Sequence, residues 1–414
     1  MCHLVISYFV PRRWRSSCCV AVPVMVSFLV LVSLLKQRSD PELKDYSYKL
    51  EGRITVNTDH LGLSFCPVCF GRNESVCEGI LHNTVKILRK KETKSKEKWK
   101  PRAVGLWNTK RISIKHYGNA SEFYKLDNEI CSIVGKINSP CEADVVWKSF
   151  LNVSSVDSSM KETMYCPSSR LIAKVKMIYF GDNVQNSQVR HNTLHLTSTL
   201  NLNQEPIIFQ VFPSEKGWPF PKFYGACGRA IVMEDAGLPL DSFLLHPWLE
   251  RAELALAVIK IAKQLTSNLD HWGLYLTEIA LDNFAVSNGT VRLEDASHIL
   301  VVDLLQSNIK AEHKKTVDQC YRTEPRCLSS HPHELCQGVI RDQNYYAVCR
   351  GVLADIGSEK GLLHSPPGDE EFKMMLEDTL TECITAQTIK RKEAIDLVVG
   401  LLQNKINALA KLKS

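Results

Sequence analysis

The chain has 414 residues, of which 44% are hydrophobic and 23% charged, with a formal net charge of +6. These values exclude an extensively disordered chain and leave room for one large two-lobed domain, or two smaller ones, with appendages. Much of the positive charge sits in residues 86–102 (KILRKKETKSKEKWKPR), which read as a solvated linker or helix face, so no nucleic-acid partner is called for.

The N-terminus sets the expected compartment. Arg12, Arg13 and Arg15 precede an uncharged apolar stretch, residues 18–35, whose length is at the lower limit for a bilayer-spanning helix. The arginines predict a cytosolic tail (1–17) and a lumenal remainder. With no small-x-small cleavage site after Leu35, a signal anchor is preferred to a cleaved signal peptide. The expected location is the endoplasmic reticulum or Golgi membrane with a lumenal domain, or secretion, and the anchor makes the membrane a partner. Twelve of the 15 cysteines lie beyond the anchor, an even number that reads as disulfides in an oxidising compartment. Four Asn-x-Ser/Thr sequons, at Asn73, Asn119, Asn152 and Asn288, agree with this placement. Cys66 and Cys69 form a C-x-x-C without a second ligand pair for zinc or a βαβ context for redox work, which favours structural disulfides.

Residues 36–100 read as a cysteine-containing, basic stem, and from 101 onward the pattern is α+β. Arg111 to Lys115 alternates as a strand. Asn119 with Glu122 makes a capping box for a following helix, and the region from about 131 to 203 looks largely helical. Strands are expected at 206–212 and 230–233, separated by a loop, GWPFPKFYGACGR. A long helix near 249–268 carries Leu254, Ala257, Val258, Ile261 and Leu265 on one face. It leads into a loop and a hairpin with an Asn288-Gly289 turn. Helices follow, with Cys320, Cys327, Cys336, Cys349 and Cys383 available to staple them, and the last covers about 389–412.

This order matches a two-lobed protein-kinase-like fold, with a small lobe at 101–233 containing a helical insertion and a helical large lobe at 234–414. Glu278 precedes Asn283 by five positions, the interval that separates the acid from the metal-binding asparagine in H-R-D-x-x-x-x-N. Asp295 stands where the metal-binding aspartate of D-F-G would follow. A side-chain carbonyl and a carboxylate on adjacent strands suit a cation that neutralises nucleotide phosphates. In that frame Lys115 is the phosphate-binding lysine, with Glu122 or Glu129 as its helical partner. Met233 to Gly237, including Glu234, forms the hinge. Glu278 is preferred as general base, with Asp282 the second candidate. Without the frame, the same residues describe a plain hairpin with surface acids.

Several long segments, FPSEKGWPFPKFYGACGR, ALDNFAV with RLEDASHILVVD, CPVCFG and CPSSRL, resemble the divergent protein-kinase-domain family of the secretory pathway, in particular its deleted-in-autism branch. The resemblance runs from Cys66 to the C-terminal helices. It implies a kinase-like fold with lumenal disulfides, ATP with Mg2+ or Mn2+ as cofactors, Lys115 and Glu122 as the ion pair, and Asn283 and Asp295 as metal ligands. It also exposes departures. Glu278 stands where related sequences tend to have aspartate, Ala296-Ser297 replaces Phe-Gly, His-Arg is absent before Glu278, and no G-x-G-x-x-G precedes Lys115. Two functions follow. One is a lumenal kinase acting on a hydroxyl of a secretory protein or glycan. The other is a pseudokinase acting as a ligand or scaffold, with a cell-surface receptor as partner. A Golgi glycosyltransferase would need a D-x-D, which the chain lacks from Lys36 onward.

Overall fold

The computed structural model describes residues 76–81, 84–91, 102–116, 166, 168–181, 196, 199–200, 202–227, 230–306, 335–337 and 340–411. The expected membrane segment, Cys66 and Cys69, and the sequons at Asn73, Asn119 and Asn152 lie outside them. Among the described residues no helix is long and apolar enough to cross a membrane.

Helix α1 (Val76–Leu81) precedes an antiparallel five-stranded sheet. Its strands are β1 (Lys86–Lys91), β2 (Arg102–Trp107), β3 (Lys110–His116), β4 (Phe223–Cys227) and β5 (Ala230–Glu234), in the order β1-β2-β3-β5-β4. β2 and β3 join through Asn108 and Thr109, both at positive φ, as a two-residue hairpin turn requires. β3 is central, and Ile112, Ser113, Ile114 and Lys115 are all buried. The sheet starts upstream of residue 101: α1 and β1 come from the segment expected to be stem. Val76 and Ile80 share a core with Trp107, Ile112, Ile114 and Val232. β1 runs at the sheet edge.

Two expectations are corrected between β3 and β5. Residues 206–212, read as a strand, form a helix, α3 (Glu205–Val211). Pro206, Ile207, Ile208, Phe209 and Val211 are all buried, and a short helix buried all round has no polar face to reveal its period. Pro206 in the first turn is the local signal for helix. The loop expected to follow ends in strand β4 instead.

Helix α2 (Ser169–Phe180) shares a core with α3 and the large lobe through Leu171, Val175 and Tyr179. Its start is anchored to β10 (Ile299–Asp303). The Ser168 hydroxyl accepts from the Leu171 amide and donates to Asp303 Oδ2 at 2.7 Å. Arg170 donates to both Asp303 oxygens, at 2.6 and 3.2 Å, and its guanidinium lies 3.9 Å from the Trp272 ring centre. Just upstream, the Cys166 amide donates to the Val301 carbonyl, and its sulfur is bonded to Cys336 across 170 residues of sequence.

After β5 the chain crosses to the large lobe through Met233–Gly237. Arg111 Nε and Nη2 donate to Asp235 Oδ2 at 3.0 and 2.8 Å, tying the crossing to β3. Gly237 has φ +94°, and a Cβ there would lie 2.0 Å from the Val286 carbonyl oxygen, so only glycine fits. The large lobe holds β6 (Leu238–Pro239), α4 (Trp248–Thr266), β7 (Trp272–Leu276), the hairpin β8 (Phe284–Ser287) and β9 (Thr290–Leu293), and then β10. Helices α5 (Gln343–Val348), α6 (Glu370–Thr385) and α7 (Arg391–Lys411) complete it. Leu254, Val258, Ile261 and Leu265 of α4 are buried, as their spacing predicts. A π-helical turn, Cys349–Leu353, follows α5, and Cys349 is bonded to Cys383 of α6. The hairpin turns through Asn288 and Gly289, both at positive φ, and leaves the Asn288 sequon exposed.

Burial alone would raise the Asp303 carboxyl, but the bonds from Ser168, Arg170 and the Leu305 amide outweigh it and hold the group below its usual value. A depressed carboxylate contributes stability above the unfolded value of about 3.9 and loses it as pH falls through the folded value. Asp303→Asn is therefore expected to destabilise the protein at pH 7 by about 1–2 kcal/mol, with the gap narrowing as pH falls below the unfolded value. Urea midpoints at pH 7, 5 and 3 test this; a gap as wide at pH 3 as at pH 7 would assign the effect to packing instead.

Candidate functional site

Lys115, expected to be the phosphate-binding lysine, leaves β3 into the interior and is 1% exposed. A buried ammonium needs a counter-charge. It has two: Nζ lies 2.6 Å from Glu205 Oε1 and 3.3 Å from Asp295 Oδ2. Glu205 is the first residue of α3 and fully buried. Its backbone amide is held by Asn203 Oδ1, and its Oε1 also accepts from the Ala296 amide at 3.0 Å. One carboxylate oxygen thus joins strand β3, helix α3 and the segment after Asp295. Glu122 and Glu129, the expected partners, lie outside the described residues; the described helix carboxylate on Lys115 is Glu205. Sequence reasoning missed it because it preceded a presumed strand, although an acid before Pro206 is a helix-start pattern.

The second half of the site comes from strand register. Leu276 pairs with Ile299 where β7 runs antiparallel to β10. One residue further, the Thr277 amide and hydroxyl both donate to the His298 carbonyl. That register carries Glu278 alongside His298, and Glu278 Oε2 lies 3.2 Å from His298 Nε2. His298 was not singled out in the sequence, since its pairing depends on a contact between strands 23 residues apart (Leu276↔Ile299). Below Glu278, Ile279 packs against the π-helical turn so closely that a Cβ on Gly351 would meet Ile279 Cγ2 at 2.4 Å. π-helical turns recur at functional sites, and this one supports the loop that carries the acid.

Asp282 and Asn283 occupy a 3-10 turn, Leu281–Asn283. The Asn283 carbonyl accepts from the amides of Glu294 and Asp295, so the asparagine, just before β8, and the aspartate, just after β9, stand side by side, although neither lies on a strand. The Asn283 side-chain oxygen accepts from the Ala280 amide at 2.5 Å, closing its own turn. Asp295 Oδ1 accepts from the Ser297 amide and hydroxyl, while Oδ2 faces Lys115. Ser297, which replaces the glycine of D-F-G, thereby orients the aspartate. Asn283 and Asp295 offer hard oxygens with lone pairs to spare, a donor set that suits Mg2+ or Mn2+ completed by phosphate and water oxygens. Among the described residues no group of three or more His, Cys, Asp or Glu side chains could hold a metal by itself.

The hinge is engaged with its neighbours. The Glu234 amide donates to the Lys222 carbonyl and the Asp235 amide to the Arg111 carbonyl. The Glu234 carboxylate accepts from the Lys222 amide and lies 3.7 Å from Arg292. Its side chain is thus a strut between β5, β4 and β9.

The model of the protein-kinase domain of FAM69 matches residues 197–386. Human divergent protein kinase domain 2A is 30% identical over 416 residues, covering 90% of this chain and 92% of that one. The mouse 2A protein is 32% identical over 361 residues, covering 78% and 82%. Human divergent protein kinase domain 2B is 29% identical over 227 residues, covering 53% and 50%.

Removing one member of a buried ion pair strands the other and costs about 3–5 kcal/mol, whereas replacing both by apolar groups is often neutral. Glu205→Leu is expected to lose stability on that scale, and Lys115→Met/Glu205→Leu to recover most of it. Chemical denaturation of the three proteins tests the pairing; a double variant no more stable than the single would refute it.

Proposed function

Because the chain belongs to the divergent protein kinase domain family, we propose that its interlobe cleft binds a nucleotide with Mg2+ or Mn2+. The reaction class is phosphoryl transfer to a hydroxyl of a secretory protein or glycan. The observation that carries the reading is Lys115 held between Glu205 and Asp295, the lysine, helix-acid and metal-aspartate combination on which kinase chemistry depends.

Each residue has a task in this reading. Glu205 fixes the Lys115 ammonium, which would hold the α- and β-phosphates. Asp295, turned by Ser297, and Asn283 hold the cation, which offsets phosphate charge when bound. Glu278 takes the proton of the attacking hydroxyl, and Asp282 is the second acid on the same loop. The disulfides Cys166–Cys336 and Cys349–Cys383 favour an oxidising compartment, in line with a lumenal or secreted protein whose N-terminal segment anchors it to the endoplasmic reticulum or Golgi membrane.

A second reading, a pseudokinase serving as ligand or scaffold for a cell-surface receptor, is favoured by the transfer half of the site. Glu278 is paired to His298 rather than waiting for a hydroxyl, and the Asn283 oxygen is already a turn acceptor. Residues 92–101 contain no glycine to cover the phosphates.

ATP with Mn2+ is expected to raise the melting temperature of the wild type and leave Asp295→Ala unmoved; equal stabilisation of both would sink the metal assignment. In transfer assays on secretory-pathway extracts, Glu278→Gln is expected to lose about a hundredfold or more. Unchanged transfer would move the base to Asp282, and no transfer by wild type, Glu278→Gln or Glu278→Asp would favour the scaffold.

A further inference from the structure

A solvent-open depression of about 910 Å³ lies in the large lobe, and none of its lining residues belongs to the Lys115 site. Its wall is formed by Lys216, by Lys260 and Lys263 of α4, by the loop from Ser267 to Asp270, and by Lys392 and Asp396 of α7. Four lysines therefore face two aspartates. Lys263 is satisfied by Asp396 at 2.5 Å. Lys216, Lys260 and Lys392 have no carboxylate at salt-bridge distance among the described residues.

The crowding is felt by Lys174, which does not line the depression but senses its Lys216. Lys174 of α2 lies 5.7 Å from the Trp272 ring centre. Burial first, and then the nearby Lys216 and Arg170, pull its pKa down against the opposing pull of Asp270. Like charges held together without counter-ions destabilise a fold unless an anion joins them.

We propose that this depression binds a sulfated oligosaccharide. Size and charge geometry choose the ligand. About 910 Å³ is far more than a single phosphate or sulfate fills. No arginine lines the depression, so it lacks the planar fork that reads one phosphate ester, and separate lysines act instead as point charges for anions spaced along a chain. The aromatic residues of the lining, Trp218 and Tyr345, are 5% and 6% exposed, which leaves no stacking platform for bases and no open pocket for a peptide's aromatic anchor.

The test uses the full chain with a sulfated heparin-derived octasaccharide, its desulfated form, inorganic sulfate and a polyglutamate peptide as probes. Lys216→Glu/Lys260→Glu/Lys392→Glu is compared with the wild type and with Lys94→Glu/Lys96→Glu/Lys98→Glu, which removes the same charge from the basic segment. The expected result is salt-sensitive binding of the sulfated octasaccharide alone, weakened at least about tenfold by the first triple and little by the second. The milder Lys216→Gln/Lys260→Gln/Lys392→Gln, with melting temperatures for all variants, separates lost binding from lost folding. Equal losses in both Glu triples, unchanged binding in the first, or preference for polyglutamate would each overturn the proposal.

Discussion

The ion pair between Lys115 and Glu205 is the interaction around which the molecule is organised. A buried ammonium and a buried carboxylate are tolerated only together and only in good geometry. The 2.6 Å contact therefore fixes where β3 and α3 stand relative to each other. The same Glu205 oxygen takes the Ala296 amide, so the segment that carries Asp295 is drawn to the same point. Strand β3, helix α3 and the segment after Asp295 meet at one atom.

What holds the helix is unusual in being largely a large-lobe affair. Gln204, immediately before α3, donates to the Ser297 and Ile299 carbonyls at the start of β10. Gln210 Nε2 donates to the Tyr179 hydroxyl of α2, and α2 is tethered to the far end of β10 by Ser168 and Arg170 on Asp303, with the Cys166–Cys336 bond just upstream. In kinases the placement of this helix is a point of control. Here hydrogen bonds, a shared core and a disulfide support the lysine–glutamate pair, so the Lys115 cluster is assembled by folding itself.

The transfer half is built differently. Glu278 depends on one strand register and one histidine, and its loop rests on the close approach of Ile279 to Gly351. A one-atom longer acid tied to a neighbour has less freedom to meet a substrate hydroxyl, and displacements of about an ångström can cost on the order of a hundredfold in rate. The Lys115 cluster and the Glu278 loop thus rest on separate parts of the structure.

The central strand, the long α4 helix and the Asn-Gly hairpin were all legible from local pattern, because alternation, a helical stripe and a two-residue turn are written in neighbouring residues. The sequence alone determined which residue types lie near the chemistry, with Lys115 on a strand and Asn283 and Asp295 at kinase spacing. The tertiary structure alone decided which acid meets Lys115 and which partner Glu278 receives. Glu205 is 90 residues from its lysine on a short, mostly buried helix whose apolar run Pro206–Phe209 looks like a strand, and His298 reaches Glu278 only through the pairing of β7 with β10. Periodicity encodes how a segment is buried, but not which distant segment buries it, and in this protein the charged contacts that define the site are made between such segments.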